Sequence, residues 1–64
     1  MLELKIARMR KGLTQEELAE KIGMAKITIS AYEIGRAKPS LDVLIKLSDV
    51  LEVSLDELLG RKEK

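Results

Sequence analysis

The side chains able to do chemistry in this 64-residue sequence are charges, hydroxyls and amides, because it has neither Cys nor His. Without them there is no thiol nucleophile, no side chain that titrates near neutrality unaided, and none of the usual transition-metal ligands. The chain is therefore read as a non-enzyme with no cofactor and no metal site. What remains is ion pairing and hydrogen bonding, and the charge is unevenly spread. Residues 1–40 carry a net +3 and residues 41–64 a net −2, within an overall +1. The basic part is the candidate contact surface for an anionic partner. Tyr32 is the one aromatic residue. A single ring disfavours recognition of single strands by base stacking and leaves duplex DNA open.

These groups must be positioned by one small domain, residues 1–64, which buries about 60% of the surface its unfolded chain exposes. Its hydrophobic fraction of 45% is enough for a globular core. No apolar run approaches the roughly 20 residues needed to cross a bilayer, and the first residues lack the apolar stretch of a signal peptide. A soluble cytoplasmic protein is expected, with no membrane association and no evident small-molecule ligand.

Apolar spacing and polar punctuation divide the chain into five short helices with no strand, an all-α fold. The first runs from Leu2 to Lys11 and is closed by Gly12. Thr14 and Glu17 then form a capping box, with Leu13 and Leu18 as its hydrophobic staple, and Ser54 and Glu57 repeat that pattern ahead of the last helix. Gly23 interrupts the second helix after Ile22, and Met24 to Glu33 resumes helical spacing. Ile34 to Pro39 reads as a loop, after which Ser40 caps a helix from Leu41 to Leu51. The wide apolar arc of that helix, Leu41, Leu44, Ile45, Leu47 and Leu51, marks it as the expected central element. Residues 1–3 and 60–64 are expected to fray.

From Gln15 to Glu33 the residue sizes suit two short helices crossing at a steep angle: Ala19 is small at the crossing, Gly23 turns, and Leu18, Ile22, Met24, Ile29 and Tyr32 face the core. Here the sequence resembles the phage lambda repressor and Cro-like (XRE-type) helix-turn-helix family. The stretches that carry the resemblance are Gly12-Leu13-Thr14-Gln15-Glu16-Glu17-Leu18-Ala19, Thr28-Ile29-Ser30-Ala31-Tyr32-Glu33, Lys38-Pro39-Ser40-Leu41 and Val53-Ser54-Leu55-Asp56-Glu57-Leu58. The resemblance implies a compact five-helix domain whose second and third helices form the helix-turn-helix, the third lying in the DNA major groove. It implies phosphate contacts from Thr14, Gln15, Thr28, Arg36 and Lys38, and base-edge contacts from Lys26, Ile27, Ser30 and Ala31. Free backbone N–H groups and the helix dipole favour an anion beside Gln15 independently of the resemblance. An ion pair between Arg8 and Glu33 is implied as well.

The sequence departs from that family where Ser or Thr is usual at Ala25, and where polar residues are usual at Ala31 and Ile34. Ile27, Ala31 and Ile34 make an i, i+4, i+7 stripe opposite the core-facing Ile29 and Tyr32. Such a stripe meets either thymine methyl groups in a groove or a protein partner. Two functions follow. The first is a transcriptional regulator, a repressor that binds a near-palindromic operator as a homodimer. The second is a protein-interaction module on the same fold, such as an antitoxin, a coactivator-like domain or an engineered variant. A dimer contact is expected from one of Leu55, Leu58 and Leu59 together with Val43 or Val50. Glu52 stands where the family often has Gly and is expected at positive φ.

Overall fold

Hydroxyl side chains set three of the helix starts. The computed structural model describes residues 1–60, and the expected frayed tail beyond Gly60 lies outside the described residues. Among those described, the helices are α1 (Leu2–Arg10), α2 (Gln15–Ile22), α3 (Lys26–Ile34), α4 (Leu41–Leu51) and α5 (Leu55–Leu59), and there is no strand. Thr14 Oγ1 accepts from the Glu17 N–H at 3.0 Å while Glu17 Oε1 accepts from the Thr14 N–H at 2.8 Å. Ser54 and Glu57 exchange the same two bonds, and Ser40 Oγ accepts from the Val43 N–H. A cap of this kind is worth about 1 kcal/mol.

One device ends four of the helices. A left-handed residue (Gly12, Gly23, Gly35 or Glu52) is followed by a residue whose N–H donates to a carbonyl five positions back. The bonds are Leu13 to Arg8 at 3.1 Å, Met24 to Ala19 at 2.8 Å, Arg36 to Ala31 at 2.9 Å and Val53 to Ser48 at 3.1 Å. In this motif the donor residue usually folds back as an apolar contact. Leu13, Met24 and Val53 do so, packing against the core. Arg36 is exposed instead.

This device moves the expected boundaries of the third helix. Met24 is spent on the bond to Ala19 and Ala25 is extended at φ −85°, ψ 149°, so helix resumes at Lys26 and not at Met24. At the other end Ile34 is still helical, and the left-handed Gly35 makes the stop. Helix α1 begins at Leu2, and the α-ammonium of Met1 donates to the last-turn carbonyls of α3, Tyr32 O at 2.6 Å and Glu33 O at 2.9 Å.

No helix is central. The principal packing pairs are α1 with α3, α3 with α2, α2 with α4, α4 with α5 and α5 with α1. They close a ring around a shared core. Each helix sends one fully buried side chain into it: Leu4, Leu18, Ile29, Leu47 and Leu58. Helix α4 was expected at the centre on the strength of its apolar arc, but Leu41 and Ile45 of that arc are exposed, and only Leu44, Leu47 and Leu51 are buried. No other described element lies over them.

Glu52, at φ 58° and ψ 43°, is the one non-glycine residue at positive φ among those described. Its carboxylate pairs with Lys11 Nζ, and that hydrogen bond lowers its pKa from the ordinary value. The backbone strain is local and the exposed pair is worth little.

Two stability outcomes follow from this geometry. Leu47→Ala, at the closed centre of the ring, lowers unfolding free energy by about 2–5 kcal/mol in denaturant titration. Glu52→Gly leaves the melting temperature unchanged or raises it by up to about 5 °C, because relief of the left-handed strain offsets the greater freedom of the unfolded chain. A clear fall in melting temperature contradicts this account of the α4 terminus.

Candidate nucleic-acid interface

Helices α2 and α3 meet through Leu18, Ala19 and Ile22 on one side and Ile29 and Tyr32 on the other, all buried. Ala19 is the small residue that allows their close approach. With Ile29 and Tyr32 turned inward, the opposite side of α3 faces outward. Ile27 is 78% exposed there and Ile34 65%. Lys26 is exposed at the start of the helix, and Thr28, Ser30 and Ala31 are half-buried along it. Arg36 and Lys38 are exposed on the loop that follows. Ala25 precedes α3 without a side-chain cap, and the first turn of α3 contains no acidic residue. The first turns of α1, α2, α4 and α5 each contain at least one.

The far end of α3 is anchored by a partly buried ionic network. Arg8 of α1 reaches Glu33 with two guanidinium nitrogens, Nε to Oε2 at 2.6 Å and Nη2 to Oε1 at 3.3 Å. Its third nitrogen, Nη1, donates to Leu13 O at 2.7 Å, at the entrance to α2. The side chains of Arg8 and Glu33 are only 11% and 3% exposed. Burial acts to raise the Glu33 pKa, but hydrogen bonds from Arg8 and Gln15 and the charges of Arg8 and Lys5 outweigh it and hold it below the ordinary value.

Gln15 makes a contact that its position in the motif does not suggest. Its side-chain Nε2 donates to Glu33 Oε1 at 3.0 Å, so Glu33 receives three side-chain hydrogen bonds from two other helices. Only one of the two amide N–H groups is used in this contact. Thr14, one residue earlier, is exposed and uses its oxygen as the α2 cap. The structure thus brings Lys26, Ile27, Ser30 and Ala31 onto α3. Thr14 and Gln15 stand at the start of α2, and Arg36 and Lys38 follow α3. Arg36 is the polar member among four equivalent helix-ending positions.

Two helices joined by a glycine turn, the second presenting an outward face, define the chain as a helix-turn-helix domain. The helix-turn-helix family matches over residues 4–58. The chain is 45% identical over 60 residues to the helix-turn-helix-type transcriptional regulator ImmR of Bacillus subtilis, covering 94% of this chain and 47% of that one. It is 39% identical over 59 residues to the cryptic phage CTXphi transcriptional repressor RstR of Vibrio cholerae, covering 89% and 53% respectively. Among solved structures, the N-terminal DNA binding domain of SinR from Bacillus subtilis matches with a TM-score of 0.82 at 42% identity, over 95% of this chain and 90% of that domain. The chain belongs to the helix-turn-helix family, in its lambda repressor-like (XRE) branch, and is a domain of the kind found in transcriptional regulators. It spans about half the length of ImmR and RstR.

The network makes the domain acid-sensitive in a definite direction. Because the Glu33 pKa is lowered in the folded state, its contribution to stability is present above the ordinary Glu range and is lost as pH falls through the folded value. The stability difference between the native chain and Glu33→Gln, measured by urea titration, is therefore largest at neutral pH and shrinks below about pH 4. At neutral pH, Arg8→Ala or Glu33→Ala alone costs about 3–5 kcal/mol by stranding the partner charge. The double variant loses clearly less than the sum of the two.

Proposed function

We propose that this chain is the sequence-specific duplex-DNA-binding part of a transcriptional regulator, a repressor acting as a homodimer on a near-palindromic operator. Helix α3 enters the major groove and α2 crosses the backbone. The observation that carries this reading is electrostatic. The outward face of α3 has no free carboxylate: its one acidic residue, Glu33, is turned inward and neutralised by Arg8, while Lys26, Arg36 and Lys38 are exposed around it. Such a surface can lie against phosphates without repulsion.

Under this reading Lys26, Ile27, Ser30 and Ala31 face base edges. Arg36 and Lys38 neutralise phosphates, and Thr28, the Thr14 hydroxyl and the second N–H of Gln15 add neutral contacts. Pinned by Glu33, Gln15 offers its remaining N–H from a defined position beside the α2 amino end. The names of RstR and ImmR support a regulatory role, and that of RstR supports repression. For the dimer, Leu58 is core, while Leu55, Val43 and Val50 pack partly against it. Leu59, with Leu41 and Ile45 of α4, supplies the exposed apolar surface.

The second reading, a protein-interaction module, is favoured by the exposure of Ile27 and Ile34. Selection of bound sequences from a random duplex library separates the two. The DNA reading expects an enriched near-palindrome with half-site centres about 34 Å apart. With three cations per subunit, log K against log salt has a slope of about −5, and Arg36→Ala makes it shallower by about 2 while weakening all duplexes alike. No enrichment and no salt dependence, with self-association or partner binding that occupies α3, decides for the interaction module.

A further inference from the structure

Building on the DNA-binding reading, we infer that Ile27 is a specificity-determining residue that selects the 5-methyl group of a pyrimidine, normally thymine, once in each half-site. Ile27 is the second residue of α3, in the amino-terminal turn that such helices direct at base edges, and its side chain is 78% exposed. The outward residues of this helix are poor in hydrogen-bonding groups. Among Lys26, Ile27, Ser30, Ala31 and Ile34 there is no Arg, Asn or Gln, so hydrogen-bonded base reading is left to Lys26, which suits guanine, and to Ser30. An aliphatic side chain has one complementary feature in the major groove, the methyl group at C5 of thymine.

The β-branched Ile27 is stiff at χ1 and loses little side-chain freedom on contact. Ala31, one turn further on, is half-buried and adds little apolar area of its own. Ile34 lies seven residues along the helix, roughly 10 Å from Ile27, towards the carboxyl end and away from the base-reading turn. Two isoleucines set that far apart fall well short of the roughly 800 Å² a stable protein interface buries on each side. The cations flanking them, Lys26, Arg36 and Lys38, suit a polyanion.

The test starts from duplexes enriched by the full chain. Thymines are replaced one at a time by uracil, which removes the methyl group and preserves base pairing. The expected result is one position in each half-site where the replacement weakens binding about fourfold. At that position 5-methylcytosine binds about fourfold better than cytosine, since it restores the same methyl group. Ile27→Ala, whose folding is checked by its circular-dichroism melt, binds the thymine site more weakly and abolishes both differences. If uracil is tolerated everywhere, or the methyl effect survives in Ile27→Ala, this inference is overturned while the DNA reading stands. If no duplex is enriched at all, the DNA reading fails and this inference falls with it.

Discussion

The Arg8–Glu33 contact is the constraint on which the rest of the arrangement depends. A carboxylate whose side chain is 3% exposed is costly unless it is paired and hydrogen-bonded, and Glu33 accepts three hydrogen bonds from Arg8 and Gln15. Because the guanidinium is planar and its third nitrogen is held by Leu13 O, the contact fixes both the distance and the rotation of α3 relative to α1 and the start of α2. Arg8 thereby joins three helices that have few large side chains to spare. A lysine could match the charge but not the fork.

That anchor works at the end of α3 and not along its length. Only Ile29 and Tyr32 of this helix are buried, a narrow seam for nine residues. Orientation is supplied instead at the carboxyl end, where Glu33 is held by side chains and the carbonyls of Tyr32 and Glu33 accept from the Met1 ammonium. The middle and the amino-terminal turn are left with no structural task on their outer side. This division lets one helix be both part of a five-membered ring and a presenting surface, and it lets Ile27 stand almost wholly in solvent.

The ring is economical for a chain of this size. One fully buried aliphatic residue per helix meets at the centre, with smaller and partly buried neighbours around it. Capping boxes and left-handed helix ends keep the connections short, so little of the chain is spent outside helices. The cost is incomplete cover. Leu2, Ile6 and Met9 of α1, like Leu41 and Ile45 of α4, stay exposed because no sixth element lies over them among the described residues.

By itself the sequence determined the helix starts at Gln15, Leu41 and Leu55, since a hydroxyl cap is a contact across three residues and needs nothing from elsewhere in the chain. It also determined the helical stop at Gly23 and the left-handed Glu52, which depend on local backbone sterics. The all-α class, the inward set Leu18, Ile22, Met24, Ile29 and Tyr32, and the outward stripe of α3 followed from helical period, and Ala19 at the crossing from its small size. Periodicity places the start of α3 two residues early, because Met24 suits a helical face while its N–H is committed to Ala19. Tertiary structure decided the rest. Gln15 found Glu33 eighteen residues away, and Met1 found the end of α3. Helix α4 became one member of a ring and not its centre. Each of these depends on which helices lie side by side, and that is set by how five narrow apolar seams close on one another, a property no single stretch of sequence contains.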